Sequence, residues 1–121
     1  MAKLTQAASF YRLLKILTTD MDRDLPITIP FVFARIAVAP TGIDQKDLME
    51  ELGIGSSTMS RTVQTLAEVH YTKGKPGLGL IERRMDLMDN RRRMLHLTLQ
   101  GERLRSKINS AMTLISASED I

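Results

Sequence analysis

Five arginines, Arg83, Arg84, Arg91, Arg92 and Arg93, fall within eleven residues and are opposed there only by Asp86 and Asp89. Guanidinium groups at that density repel one another unless an anion compensates them. Their planar forks are suited to phosphate oxygens. Asp89 stands two residues before Arg91, where a charge-assisted hydrogen bond can hold that guanidinium, although the same spacing also describes an exposed ion pair of little energetic consequence. Upstream, the residues around Met59, Val63 and Leu66 are Ser56, Ser57, Thr58, Ser60, Arg61, Thr62, Gln64 and Thr65. These are short donors and acceptors with a single cation. Arginine pairs bidentately with guanine, glutamine with adenine, and hydroxyls with bases or phosphates. The alternative is a solvated helix face, but such a face normally uses Glu and Lys, which are better helix formers than Ser and Thr. Lys73 and Lys75, in the glycine-containing stretch between the two groups, are two further candidate phosphate contacts.

The elements that must position these groups follow from periodicity. Leu4, Ala7, Tyr11 and Leu14 recur on one helical face, predicting a first helix over 3–18. After the acidic MDRDLP connector, Thr28 can cap a second helix, with Pro30 in its first turn and Phe31, Val32, Ile36 and Ala37 as its buried side. Asp44 stands at the N-cap position of a third helix, DQKDLMEEL, whose core face is Leu48, Met49 and Leu52. Gly53 supplies the positive φ of a helix C-terminus, and Gly55-Ser56-Ser57 opens a fourth helix with Met59, Val63 and Leu66 inward.

Residues 70–79 hold four of the eleven Gly and Pro residues and read as a loop. LIERRM and RRMLHLTL then form a β-hairpin with an arginine-rich tip, Leu95, Leu97 and Leu99 alternating with His96 and Thr98. Gly101 interrupts the segment that follows. Beyond it, Leu104, Ile108, Ala111 and Ile115 recur at helical spacing.

Composition narrows the function classes. The chain has 121 residues, a length that predicts one domain, and a formal net charge of +3. That charge is unevenly placed: residues 56–107 carry eleven basic and five acidic side chains, a local +6, which points to a polyanionic partner. Cysteine is absent, so disulfides, thiolate metal sites and cysteine nucleophiles are excluded, and a reducing cytoplasmic setting is expected. No apolar run is long enough to span a bilayer, so no membrane partner is expected. His70 and His96 have no carboxylate at ligand spacing, and no Walker-type phosphate loop, paired carboxylates or activated nucleophile is present. No metal, cofactor or catalysis is expected.

Two helices joined by a short Gly-containing turn form a helix-turn-helix. With the hairpin and a closing helix, the order matches a winged helix, mainly α with a small β-hairpin wing. DLMEELGIGSSTMSRTVQTLAE resembles the helix-turn-recognition-helix segment of the multiple antibiotic resistance regulator (MarR) family, and Gly79 to Arg83 (GLIER) resembles its first wing strand. Asp89, Arg91, Leu97, Thr98 and Gly101 occupy that family's D-x-R…LTxxG pattern.

The resemblance covers most of 28–105 and implies a homodimeric transcriptional regulator of double-stranded DNA, with terminal helices pairing between chains, recognition helices in successive major grooves and Arg91 in the minor groove. Within a single domain of 1–121, it makes 28–99 the DNA-binding core and 3–18 and 100–117 the dimerisation helices. It leaves room for a small-molecule effector in a pocket lined by Phe10, Tyr11 and Phe33, the alternative being that these are ordinary core aromatics. The chain departs from the family pattern in roughly nine extra residues between Leu66 and Gly79, in Gly55 where a hydroxyl cap is usual, with Ser56 able to shift that cap by one, and in a short closing helix. Two other readings use the same residues: a winged helix that docks on an acidic protein, and a non-specific DNA-binding accessory factor.

Overall fold

The computed structural model describes residues 2–21, 26–67, 77–85, 88–89 and 91–119, with side chains described from 7 in the first stretch and up to 112 in the last. The elements run α1 (Ala2–Asp20), α2 (Thr28–Ala37), β1 (Ile43–Asp44), α3 (Gln45–Leu52), α4 (Ser56–Leu66), β2 (Ile81–Met85), β3 (Arg93–Leu97) and α5 (Leu99–Glu119). They form two compact units, one from Pro26 to Glu102 and one from the residues before Pro26 together with those from Arg103 onward.

In the central unit, α2 buries Ile29, Val32, Phe33 and Ile36, the i, i+3, i+4, i+7 stripe of a core-facing helix. Phe31 was expected inside but lies off that stripe and is 50% exposed. Thr28 is already within the helix; the cap position belongs to Ile27, which offers no side-chain bond. Arg35 grips both oxygens of Glu51 and ties α2 to α3. The turn after α3 is built as its glycine predicts: Gly53 adopts φ 66°, and the Ile54 N–H reaches back to the Met49 carbonyl at 3.1 Å. Met59, Val63 and Leu66 of α4 are buried with Leu48 of α3.

Beyond α4 the chain returns across its last turn. The N–H groups of Leu78 and Leu80 donate to the carbonyls of Thr65 and Leu66, both at 2.8 Å, and that of Gly79 to Ala67 at 3.2 Å. This return feeds a three-stranded antiparallel sheet of order β1-β3-β2. The expected hairpin is its β2–β3 half, with Ile81 opposite Leu97 and Met85 opposite Arg93; β1 was not foreseen. Strand β3 stops at Leu97 rather than continuing to Leu99, which begins α5 and is exposed. The Thr98 hydroxyl makes the transition, donating to the Gly79 carbonyl at 2.6 Å and accepting the Gly101 N–H at 3.1 Å.

Gly101 lies inside α5 instead of interrupting it. The glycine is required by close approach, since a Cβ there would stand 2.1 Å from the Leu80 carbonyl oxygen.

In the other unit, the Ser9 hydroxyl donates to Met112 Sδ at 2.9 Å, and Lys107 Nζ pairs with Asp20 Oδ2 at 3.0 Å. Ser9 and Met21 are buried, whereas Ala7, Phe10, Tyr11 and Leu14 on α1 and Met112 on α5 face outward. No described helix is long and apolar enough to cross a membrane.

Replacing Gly101 with Ala forces a methyl group against a backbone carbonyl and is expected to destabilise the fold by about 2 kcal/mol. Urea unfolding followed by circular dichroism measures this. Gly55→Ala is the control, because its Cβ would meet nothing within 4 Å, and its cost is set at about 1 kcal/mol or less by the cap position alone.

Candidate nucleic-acid interface

Helix α4 sorts its polar residues into two sets. Ser56, Ser57, Thr58 and Arg61 are exposed, and Ser60 and Gln64 are half-buried beside them. Ser57, Arg61 and Gln64 recur at i, i+4, i+7, so they share one face with Ser60 at its flank. Thr62 and Thr65 leave the face predicted for them: they are only 3% and 8% exposed. Thr62 completes the inward stripe of Met59, Val63 and Leu66, a position the spacing alone could have revealed. Thr65 lies where the returning chain crosses α4, and its hydroxyl donates to the Arg61 carbonyl at 2.9 Å. Gly55 occupies the cap position without a side-chain bond, so Ser56 does not shift the cap. The first amides of α4 therefore remain available to an anion, a role favoured by the helix dipole.

The wing presents its arginines unequally. Arg91 is 88% exposed, against 58% for Arg84 and 44% for Arg92, with its Nε 3.2 Å from Asp89 Oδ1. The same carboxylate oxygen accepts the Arg91 N–H at 3.0 Å. Those two bonds hold the Asp89 carboxyl below its ordinary pKa, the side-chain bond contributing most. Arg84 is paired with Glu82 on its own strand, and Arg92 approaches Asp44 and Asp47. Among the described acidic groups, none lies within ion-pair distance of Arg83 or Arg93. Burial, and secondarily the charge of Arg93, hold the Arg83 pKa below its usual value. That is the electrostatic condition an approaching phosphate relieves.

A groove of about 540 Å3 separates the wing turn from the start of α3; Arg91, Arg92 and Arg93 line one side, and Asp44, Gln45, Lys46 and Met49 the other. The Gln45 Oε1 is buried with no partner. Lys46 was not singled out by sequence reasoning, yet it adds a cation to the same rim. Its signal was available: it is the second residue of a helix whose first turn must adjoin whatever contacts the wing.

No protein-family model matches the sequence, and no curated protein does either. The fold does match solved structures. MepR of S. aureus in complex with DNA superposes with a TM-score of 0.67 at 19% identity, covering 98% of this chain and 89% of that one. MarR gives 0.60 at 23% identity, covering 94% and 77%. The PcaV transcriptional regulator of Streptomyces coelicolor, in complex with its natural ligand, gives 0.57 at 24% identity, covering 94% and 70%. The fold is the MarR-type winged helix.

In the MarR-type frame, α3 and α4 form the helix-turn-helix and β2–β3 the wing. The structure brings Arg83, Arg84, Arg91, Arg92, Arg93 and Asp89 together on that wing, and places Ser56, Ser57, Thr58, Ser60, Arg61 and Gln64 along α4. Lys73, Lys75 and His70 lie outside the described residues. Phe33 is core in the central unit, while Phe10 and Tyr11 are exposed on α1. Among the described residues, no group of three or more His, Cys, Asp and Glu could hold a metal ion.

His96 lies opposite Glu82 in the wing sheet and against Gly42. Burial lowers its pKa, Arg84 lowers it further, and Glu82 opposes them. A histidine whose folded pKa lies below its unfolded value near 6.5 binds fewer protons folded than unfolded, so stability falls as pH drops from about 6.5 through the folded pKa. Thermal melts between pH 7.5 and 5 are expected to show this decline, and His96→Gln to flatten the His96 share of it. An identical pH slope in the variant would refute the assignment.

Proposed function

We propose that this chain is a cytoplasmic, sequence-specific regulator of transcription that binds double-stranded DNA as a homodimer on a pseudo-palindromic operator and represses by occlusion. It is not an enzyme and needs no cofactor. The observation that carries the reading is the exposed Arg91, anchored by Asp89 at the wing turn, in the same compact unit as a helix whose outward residues are hydroxyls and one arginine. Arg61 and its neighbours on α4 read base edges in the major groove, and Arg91 enters the minor groove, where a narrow A·T-rich stretch attracts it most. Arg83, Arg84, Arg92, Arg93, Lys73 and Lys75 are assigned to phosphates. MepR, which shares the fold, is found in complex with DNA, which supports the DNA-binding reading. The dimer is assigned to the unit holding both chain ends, where Phe10, Tyr11, Leu14 and Met112 leave apolar surface outward.

Selection of bound duplexes from a random pool, combined with sizing of the complex, tests the reading. The expected result is a palindromic consensus with half-sites about 10 bp apart or a multiple of it, and two chains per duplex. Unrelated selected sequences would overturn the assignment of specificity. On the selected duplex, Arg61→Ala is expected to lose about tenfold of discrimination against a changed base pair. Arg91→Ala is expected to weaken binding chiefly where the flanks are A·T-rich. Raising salt from 50 to 200 mM should lower affinity about 10³-fold if half of the twelve cations assigned across the dimer meet phosphates, and more steeply if all do.

A further inference from the structure

Strand β1 pairs with β3 over two residues only, Ile43 with Leu95 and Asp44 with Met94. One step further along, Gln45 has already begun α3 while Arg93 is still in β3. The Arg93 N–H is taken instead by the Asp44 side chain, with Oδ1 accepting at 3.1 Å. A carboxylate thus replaces the carbonyl that a longer strand would have supplied. Asp44 has the extended backbone of a helix cap, φ −66° and ψ 136°, yet makes no capping bond. Its side chain passes over the local amides of α3 in favour of a residue 49 positions away.

Three successive amides of the wing turn find acceptors on aspartates. Asp89 takes two of them, its Oδ1 accepting from Arg91 at 3.0 Å and its carbonyl from Arg92 at 3.0 Å. Those bonds are local and shape the turn itself. The third, from Arg93 to Asp44, fastens the turn to the helix-turn-helix. Asp44 Oδ1 also lies 3.9 Å from Arg92 Nε, and Asp47 Oδ2 lies 3.6 Å from Arg92 Nη2.

We propose that Asp44 is a positioning residue for DNA binding: it fixes the wing against α3 through the Arg93 N–H, and with Asp47 it makes Arg92 a strut rather than a phosphate contact. The inference rests on the DNA-binding reading and revises the part given there to Arg92. Its consequence is geometric. A helix in the major groove and an arginine in the minor groove engage one duplex together only if their separation is fixed, and Asp44 is the side chain that fixes it on the wing side.

Amide hydrogen exchange measured by NMR, with duplex titrations, tests the proposal on the full chain. Asp44→Ala is expected to speed Arg93 exchange about tenfold, whereas Asp44→Asn, which keeps the acceptor oxygen, stays within about threefold of wild type. The preference for A·T-rich over G·C-rich flanks should collapse in Asp44→Ala and survive in Asp44→Asn, a split that a merely structural role would not produce. Asp47→Asn should tighten binding about threefold at low salt and steepen the salt slope by about 0.9 per chain as Arg92 turns to a phosphate.

Unchanged Arg93 exchange in Asp44→Ala overturns the tie, and an unchanged or shallower slope in Asp47→Asn overturns the strut. If Asp44→Ala does not fold, Asp44→Asn decides in its place, because wild-type-like exchange supports the acceptor role and about tenfold faster exchange refutes it. A wild-type chain that binds every duplex equally would sink the specificity reading instead, leaving the exchange result to decide the tie.

Discussion

The central unit depends on the junction at Leu80. Its N–H donates to the Leu66 carbonyl at the end of α4, and its own carbonyl accepts the Thr98 N–H at 3.0 Å as β3 gives way to α5. Gly101 comes up against that carbonyl so closely that a Cβ there would stand 2.1 Å from its oxygen. One residue therefore joins the end of the helix assigned to base reading, the first wing strand and the start of the closing helix. Backbone hydrogen bonds at a crossing of this kind leave little slack, since each buried N–H and C=O must keep a partner. Any change in the path of the chain there would alter the wing and α4 together.

Sequence legibility followed the length of each signal. Helices α3 and α4, their glycine turn and the inward Met59, Val63 and Leu66 were readable because several apolar residues repeat the same period. The wing hairpin was readable from the alternation in β3. Strand β1 was not, because two residues carry no period at all. Phe31 was misplaced because a purely apolar run such as FVF gives no direction to a helix, and the stripe through Ile29, Val32, Phe33 and Ile36 is defined only once the helix phase is known. Thr62 and Thr65 were misread for the opposite reason: a polar type was taken as outward although one of them sits on the core period. Within the candidate site, the pairing of Asp89 with Arg91 was legible because both partners are local. The contact of Asp44 with Arg93 was invisible because 49 residues separate them.

The positive stretch is also less uniform than its composition implied. A local charge of +6 over residues 56–107 suggests one broad cationic field, but carboxylates are interleaved with it at short range. Glu82, Asp89, Asp44 and Asp47 each engage a wing arginine. Apart from the buried Asp44, these carboxylates sit in exposed pairs that contribute little to stability, so their effect is better understood as orientation. They determine which guanidiniums point outward, and thereby turn an amount of charge into an arrangement of charge.

The shortness of β1 has a further effect on how copies of this chain can meet. A sheet edge with unpaired backbone groups is a template for another strand, and proteins blunt such edges by keeping them short or by charging them. Here β3 is central; one edge, β1, ends after two residues in a helix, and the other, β2, carries Glu82, Arg83 and Arg84. Neither edge offers a long neutral ladder for strand addition. Strand addition by another copy is therefore disfavoured at the wing sheet, which leaves the arginines of the turn unobstructed by another copy's backbone.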